Sequence, residues 1–442
     1  MALKFPMLVI KPVSRFKTAF RALKHRNFQL WFFGQGVSVI GTWMQSMAQQ
    51  VLIYHLTGSA TSLGIVNFMT VIPLLPFSFL GGSLADRVSK RKILLITQTL
   101  MLLQAVILAV LTWSGLVRIW HIYLMAFLLG IFKAVDMPPR LSYIVEMVEG
   151  KEDLTNAIGL NSAIQNGART IGPAIAGVVI ATMGEAVAFF INGLSFLAVI
   201  TSLLLMRDLP RSDIAKQQNP PVIAHTLEGV RFVLGHQLLL VLMTMVAVTS
   251  FLSRPYETLL PVFADGMSKG SAQPVVDFLC NGEHHLLACQ APEALPLGIL
   301  LASVGIGAVT GAILIASLPE RARRGRMLTV GNLALPILLL VFVNSQIFIL
   351  SVFLMVLVGL GQVFQNSLAN TMLQITAPDQ LRGRVMSQFS LVVQGMQQLG
   401  GLQAGFVADW IGAPLSVGIG AALSLVYGIF VFIRFPRVRK MV

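Results

Sequence analysis

The chain has 442 residues, 55% of them hydrophobic and 11% charged, with a formal net charge of +14 and a mean hydropathy of +0.79. Its length would suit two or three soluble domains, but so apolar a composition excludes that class. Apolar runs of about twenty residues recur from Phe28 to Ile433, each long enough to cross a hydrocarbon core of about 30 Å, so the chain reads as an all-α polytopic membrane protein.

Residues 1–27 form a basic segment. Within it, Leu3–Ala22 mixes apolar residues with Lys4, Lys11, Arg15, Lys17 and Arg21, which suits either a helix on the membrane surface or a basic tail. The first apolar run is too long for a cleavable signal peptide, and no small-residue cleavage site follows it. Twelve spans are predicted at 28–55, 61–83, 93–114, 119–140, 157–182, 186–206, 238–261, 296–317, 327–343, 347–369, 385–408 and 413–433. They fall into a six-span bundle at 28–206 and a second at 238–433, with a central loop at 207–237 and a tail at 434–442. The loop is polar and proline-containing, and Ala224–Gly235 at its end has helical periodicity suited to the membrane interface.

A charge of +14 raises nucleic acid as a partner. Its distribution argues against that: 27 of the 32 Lys and Arg lie on one side of the predicted topology, while the opposite loops hold only Arg118 and Lys269. This is the positive-inside pattern, so both termini are expected in the cytoplasm, with the basic residues facing anionic lipid. The expected location is the inner membrane of a bacterial cell.

The long outer loop, 264–295, carries both cysteines, Cys280 and Cys289. An oxidising outer compartment would permit a disulfide, and the sequence leaves paired and free thiols both open. His284 and His285 share this loop, but no further ligands stand at metal-site spacing, so a solvated loop and no metal are expected.

A shift of 228 positions aligns Gly167 with Gly395, Gly172 with Gly400, Ala176 with Ala404, Gly177 with Gly405 and Gly184 with Gly412. Spans 5 and 11 therefore carry one pattern of small residues, which points to an internal repeat with a site between the halves.

Between spans 2 and 3, the stretch Gly82-Ser-Leu-Ala-Asp86-Arg87-Val-Ser-Lys90-Arg91 places dense charge beside glycine. Glycine suits close helix approach, and Asp86 suits the exposed N–H groups of a helix start. This order closely resembles the span 2–3 signature of the major facilitator superfamily, with Ser89 at the usual second glycine. A degenerate counterpart lies at Leu318-Pro-Glu320-Arg321-Ala-Arg-Arg324-Gly325-Arg326. The resemblance implies two pseudosymmetric six-helix bundles, with Gly82, Asp86, Arg87, Lys90 and Arg91 as a cytoplasmic latch. Span 5, with Gly159, Gly172, Pro173 and Gly177, resembles the packing motif of the superfamily's exporters. Asp136-Met-Pro138-Pro-Arg140 and Asn166-Gly-Ala-Arg169 look like the bacterial branch that includes the enterobactin exporter. That likeness implies gradient-driven efflux of a siderophore or drug-like compound, as an antiporter coupled to H+. The arginine signature of proton-coupled drug exporters in span 4 is missing. An importer of a small polar or anionic solute is the alternative reading, with a channel behind it.

Charges inside spans cost about 2.5–3.5 kcal/mol each on insertion scales. Lys133 and Asp136 in span 4 stand three residues apart, as do Arg254 and Glu257 in span 7. The first two read as a structural pair and, together with Glu257, as coupling candidates; the second two read as a gate or a pair and as substrate-path candidates. Arg169 lies roughly 20 Å from either end of span 5, too deep to snorkel, so it needs a wet cavity or a partner on another helix. Polar stripes mark further path candidates: Gln45 and Gln49 in span 1, Asn161 and Gln165 in span 5, Gln362 and Asn366 in span 10, and Gln394 in span 11. Lipid does not solvate such stripes, so they are expected to face the interior. The chain lacks HExxH, GxSxG and a phosphate loop, so no enzyme, ATP-driven pump or cofactor is expected.

Overall fold

The computed structural model describes residues 20–207, 230–280, 287–319 and 322–439, without side chains at 75, 79, 85, 86 and 151. Most of Leu3–Ala22, nearly all of the central loop, and His284, His285, Glu320 and Arg321 lie outside this range. The helices are α1 (Arg26–Thr57), α2 in two pieces (Ala60–Val71 and Leu74–Arg87), α3 (Lys90–Trp113) and α4 (Ile119–Glu146). One continuous stretch, Lys151–Leu205, carries α5 (151–183) and α6 (185–205), divided at Gly184. The second half holds α7 in two pieces (Gln237–Leu252 and Tyr256–Ser268), α8 (Ala294–Ala316), α9 (Arg324–Asn344), α10 (Phe348–Thr376), α11 (Asp379–Ile411) and α12 (Ala413–Arg434).

Nine stretches of the described residues are long and apolar enough to cross a membrane, and the 54-residue stretch Glu152–Leu205 is one of them. That length is about two crossings. α1 and α11 fall outside this set although they have 32 and 33 residues. Both carry the polar stripes seen in the sequence, which dilute their hydropathy and need a face turned from lipid. Their other faces expose apolar side chains such as Phe33 and Val37 on α1 and Phe406 and Trp410 on α11.

The glycine repeat has a structural counterpart. Gly184 and Gly412 both adopt left-handed backbone, φ 81° and 90°, which only glycine takes without strain, and each turns the chain between consecutive helices. Gly172 packs on Trp43 and Ile40 of α1, and its counterpart Gly400 packs on Phe251 of α7. Gly177 packs on α8 at Gly298, and Gly405 packs on α2 at Ala60 and Thr61. The two bundles thus meet along two crossed seams, α5 with α8 and α2 with α11.

These seams are tight at the end of the molecule carrying the long loop, here termed the disulfide face, where Cys280 and Cys289 are bonded with Cα atoms 5.4 Å apart. Asp409 of α11 caps α2 of the other bundle: Ser59 Oγ donates to it at 2.7 Å, Ala60 N at 2.8 Å and Thr61 N at 3.1 Å. A helix start offers such unpaired N–H groups, and a carboxylate there also meets the dipole. Gln290 and Ala291 of the second half donate their N–H groups to Ala181 O. His55 bridges Glu185 and Glu293 at 2.8 Å and 2.7 Å.

The opposite, arginine-rich end is the basic face. There the seams part: a Cβ added at Gly159, Gly167, Gly383 or Gly395 would meet no atom within 4 Å. Gly159 thus faces open space, whereas Gly172 packs on α1 and Pro173 and Gly177 lie against Gly298 of α8.

A Cβ on Gly298 would stand 2.8 Å from Gly177 Cα and 2.9 Å from Pro173 O, both backbone atoms with no room to yield. Gly298→Val should therefore force α5 and α8 apart at a cost of about 1–3 kcal/mol. Thiol labelling of an Ala181→Cys reporter, a position with 0% exposure, should rise severalfold in that background. Unchanged labelling would show that the seam does not need the glycine.

Candidate functional site

α7 is interrupted at Ser253–Pro255. Proline lacks the N–H that would continue the ladder, so a new helix starts at Tyr256 and holds Glu257 in its first turn. The dipole favours a carboxylate there. Arg169 of α5 reaches it from the other bundle: Nη2 donates to Glu257 Oε1 at 2.8 Å and to Gln362 Oε1 at 3.4 Å. Gln362 Nε2 donates to the same Oε1 at 2.8 Å, and Gln397 Nε2 to Oε2 at 3.2 Å. Gln397 is the 228-residue counterpart of Arg169, so symmetry-related positions on α5 and α11 grip one carboxylate. The guanidinium also lies 5.9 Å from the centre of the Trp43 ring.

Beside this pair lies a cavity of about 240 Å³. α1 contributes Thr42, Trp43, Gln45, Ser46, Gln49 and Gln50; α2 and α4 contribute Asn67, Thr70, Leu129 and Lys133; and Glu257, Thr258 and Gln397 close it from the second bundle. A smaller space of about 60 Å³ adjoins Arg169, Pro173 and Glu257. Asn67 Nδ2 donates to Thr258 Oγ1 at 3.3 Å, a second bond between the bundles at this level.

Two pairings expected from i, i+3 spacing are corrected. Asp136 does not pair with Lys133. Arg140, one turn on, reaches it with Nη2 at 2.5 Å and Nε at 2.6 Å, a two-point geometry that a lysine cannot match. Thr97 Oγ1 at 2.6 Å and Gln98 Nε2 at 2.9 Å fill its other oxygen, so Asp136 is locked between α3 and α4. Arg254 likewise does not pair with Glu257, because the break at Pro255 puts the two on separate helices and cancels their register. Arg254 is buried, and its Nε has no hydrogen bond.

The other candidates divide. Gln45 is tied inside the first bundle, donating to Gln104 Oε1 at 3.1 Å and accepting from Asn192 Nδ2. Gln49 lines the cavity with its Nε2 unpaired. Gln165 and Gln394 are exposed and Asn161 is half-buried, all on the basic-face side of Arg169 and Gln397. Asn366 is half-buried with Oδ1 unpaired and lies outside the cavity lining. In the latch, the Asp86 side chain lies outside the described residues and Arg87 is exposed. Lys90 pairs with Glu146, and Arg91 Nη2 donates to Leu204 O at 2.9 Å, both within the first bundle. The expected close approach belongs to Gly81, which lies against the Ala134–Val135 backbone of α4; Gly82 has free space.

Sequence reading missed Trp43, because an aromatic residue at helical spacing reads as core. It also missed Asp409, His55, Glu185 and Glu293, which stand at helix ends where charge is ordinary. Burial raises the Glu293 carboxyl, but its hydrogen bond with His55, a backbone hydrogen bond and the nearby positive charges of His55 and Lys269 together hold it below the usual glutamate value. Among the described residues no cluster of His, Cys, Asp and Glu could hold a metal.

Arg169 and Glu257 keep side-chain exposures of 23% and 22%, so their pair is partly wet. Removing one partner strands the other charge. Arg169→Leu and Glu257→Gln should each destabilise the protein by about 1–3 kcal/mol. The double variant should lose less than the sum. Equilibrium unfolding in mixed micelles measures this; strict additivity would mean that the two groups do not interact.

The chain shares this architecture with known proteins. A family model described as transmembrane secretion effector matches residues 17–277 and 286–441. The chain is 26% identical over 399 residues to the staphyloferrin A transporter of Staphylococcus aureus, covering 89% of this chain and 93% of that one. It is 25% identical over 400 residues to the enterobactin exporter EntS of Shigella flexneri, covering 90% and 86%. Among solved structures, the nucleoside transporter NupG has a TM-score of 0.71 at 14% identity, covering 93% of this chain and 99% of that one. A bacterial homologue of the human lysosomal transporter Spinster has a TM-score of 0.64 at 15% identity, covering 94% and 96%. At such identity these structures speak to fold. With the family match spanning nearly the whole chain, the protein is a multi-pass membrane transporter of small molecules, not an enzyme, and belongs to the transmembrane secretion effector family of the major facilitator superfamily.

Proposed function

We propose that this protein exports a siderophore or drug-like small molecule across the bacterial inner membrane by alternating access, as an antiporter driven by the proton gradient. The observation that carries the reading is the Arg169–Glu257 pair, which joins the two bundles at the edge of a polar cavity. With both termini in the cytoplasm, as the charge asymmetry supports, the basic face is cytoplasmic and the disulfide face periplasmic. The geometry described above is then an inward-open state, sealed outside by Asp409, His55 and the α5–α8 seam. The enterobactin exporter among the relatives supports the direction, and it and the staphyloferrin A transporter support the cargo class.

The chemistry follows from what Glu257 can do. Ionised, it holds Arg169 and ties the bundles together. Protonated, it loses its charge–charge attraction for Arg169, and the guanidinium becomes free to meet cargo or water. Cargo entering from the cytoplasm loosens this tie, the bundles rock, the outer seal parts and the Gly82–Arg91 latch closes the cytoplasmic side. Once cargo has left, Glu257 takes a proton from the periplasm, returns neutral to the inward-open state and releases the proton to the cytoplasm, so a proton enters as cargo leaves. Asp136, saturated by Arg140, Thr97 and Gln98, cannot give up its counter-charge so readily. Glu257 is thus the coupling group, and Gln362 and Gln397 position it.

Mass spectrometry of media from cells with and without the protein identifies the cargo. Everted membrane vesicles should then accumulate that compound when a proton gradient is imposed without ATP. Arg169→Ala should abolish accumulation while leaving the amount of protein in the membrane unchanged. Uptake by right-side-out vesicles instead would reverse the direction, and wild-type transport by Arg169→Ala would remove that residue from the path.

A further inference from the structure

The cavity contains one charge that the ion-pair mechanism does not use. Of the two ionisable groups lining it, Glu257 is consumed: Arg169 and Gln362 hold one oxygen and Gln397 the other. Lys133 is not. Among the described residues it makes no hydrogen bond or ion pair, and the acid nearest in sequence, Asp136, has both oxygens occupied by Arg140, Thr97 and Gln98. Lys133 lies seven residues from Arg140, about 10 Å along the helix, which sets it back from the basic face.

An independent observation points the same way. Gln49, only 7% exposed, lines the same cavity, and its amide Nε2 has no hydrogen bond. An ammonium and an amide N–H are both donors, and neither has a partner among the described residues; the unpaired acceptor on the same wall, Gln50 Oε1, could serve at most part of this need. A buried amide donor left in this state, with a half-buried ammonium on the same cavity wall, calls for an acceptor from outside. The remaining wall includes Trp43, Leu129 and Phe196, apolar surfaces that suit a ring or aliphatic body.

We propose that this cavity binds its cargo by a carboxylate held between the Lys133 ammonium and the Gln49 amide, with the cargo's apolar body against Trp43, Leu129 and Phe196. One unmatched positive charge fits one carboxylate. A phosphate monoester carries nearly two negative charges at neutral pH and would leave one uncompensated. The inference rests on the export reading above, since it names the chemical class of compound that the site carries.

Calorimetry on the purified full-length protein in nanodiscs tests it, with benzoate as the probe, benzamide as its uncharged counterpart and phenyl phosphate as the dianion. Benzoate should bind about tenfold or more tightly than either of the others, the difference a hydrogen-bonded charge makes. Lys133→Gln should weaken benzoate binding by about tenfold or more, Gln49→Leu by a smaller factor, and Lys133→Arg should retain it. Size-exclusion elution of each variant reports folding. No benzoate binding by folded wild-type protein, equal binding of benzamide, preference for phenyl phosphate, or unchanged binding in Lys133→Gln or Gln49→Leu would overturn the proposal. The export reading fails on a different result, namely no compound whose release into the medium depends on the protein. If the released compounds prove uncharged or cationic, the carboxylate site falls and export stands.

Discussion

A charge placed in the middle of a hydrocarbon layer must find a counter-charge or water, and this chain answers that demand across the gap between its two halves. Arg169 belongs to one bundle and Glu257 to the other, so the pair exists only when the bundles are brought together at that level. Two structural choices make the meeting possible. The proline break in α7 frees a helix start to carry Glu257, and the small residues of α5 let that helix approach its neighbours closely enough for Arg169 to reach across. The glutamines at 362 and 397 then occupy the lone pairs that a single guanidinium leaves over.

The internal repeat explains why this point lies where it does. α5 and α11 occupy equivalent places, each leaning on the first helix of its own bundle and on a helix of the other. Their equivalent polar positions, Arg169 and Gln397, converge on a single carboxylate, Glu257. The departure from symmetry, arginine on one side and glutamine on the other, leaves one acid matched by one base. On the disulfide face, Asp409, His55 and the backbone bonds to Ala181 add further links, so the bundles are fastened at that end and at the middle, and separate at the basic face.

Much of this was legible in the sequence. Span positions, the charge asymmetry, the glycine repeat and the depth of Arg169 all follow from composition and spacing, because a bilayer penalises polar groups by depth and the penalty is written along one dimension. The partners were not legible. Asp136 and Glu257 stand three residues from Lys133 and Arg254, and helix periodicity alone assigns them locally. A better-placed arginine captured one and a proline break redirected the other. Asp409 pairs with residues some 350 positions away, which no local pattern reveals. Trp43 lay hidden for a different reason, since an aromatic ring on a helix looks the same whether it faces core or cavity. Spacing alone does not say which motif glycine meets a neighbour: Gly81 lies against α4, while Gly82 and Gly159 face open space.

The central claim is that the cross-bundle ion pair holds the disulfide face shut. Spin labels at Leu116 and Ile347, exposed residues on loops of different bundles at that face, report it through pulsed electron–electron distance measurement. The wild-type protein should give one short-distance population, and Glu257→Gln should add a second, longer one. Identical distance distributions in the two proteins would contradict the account.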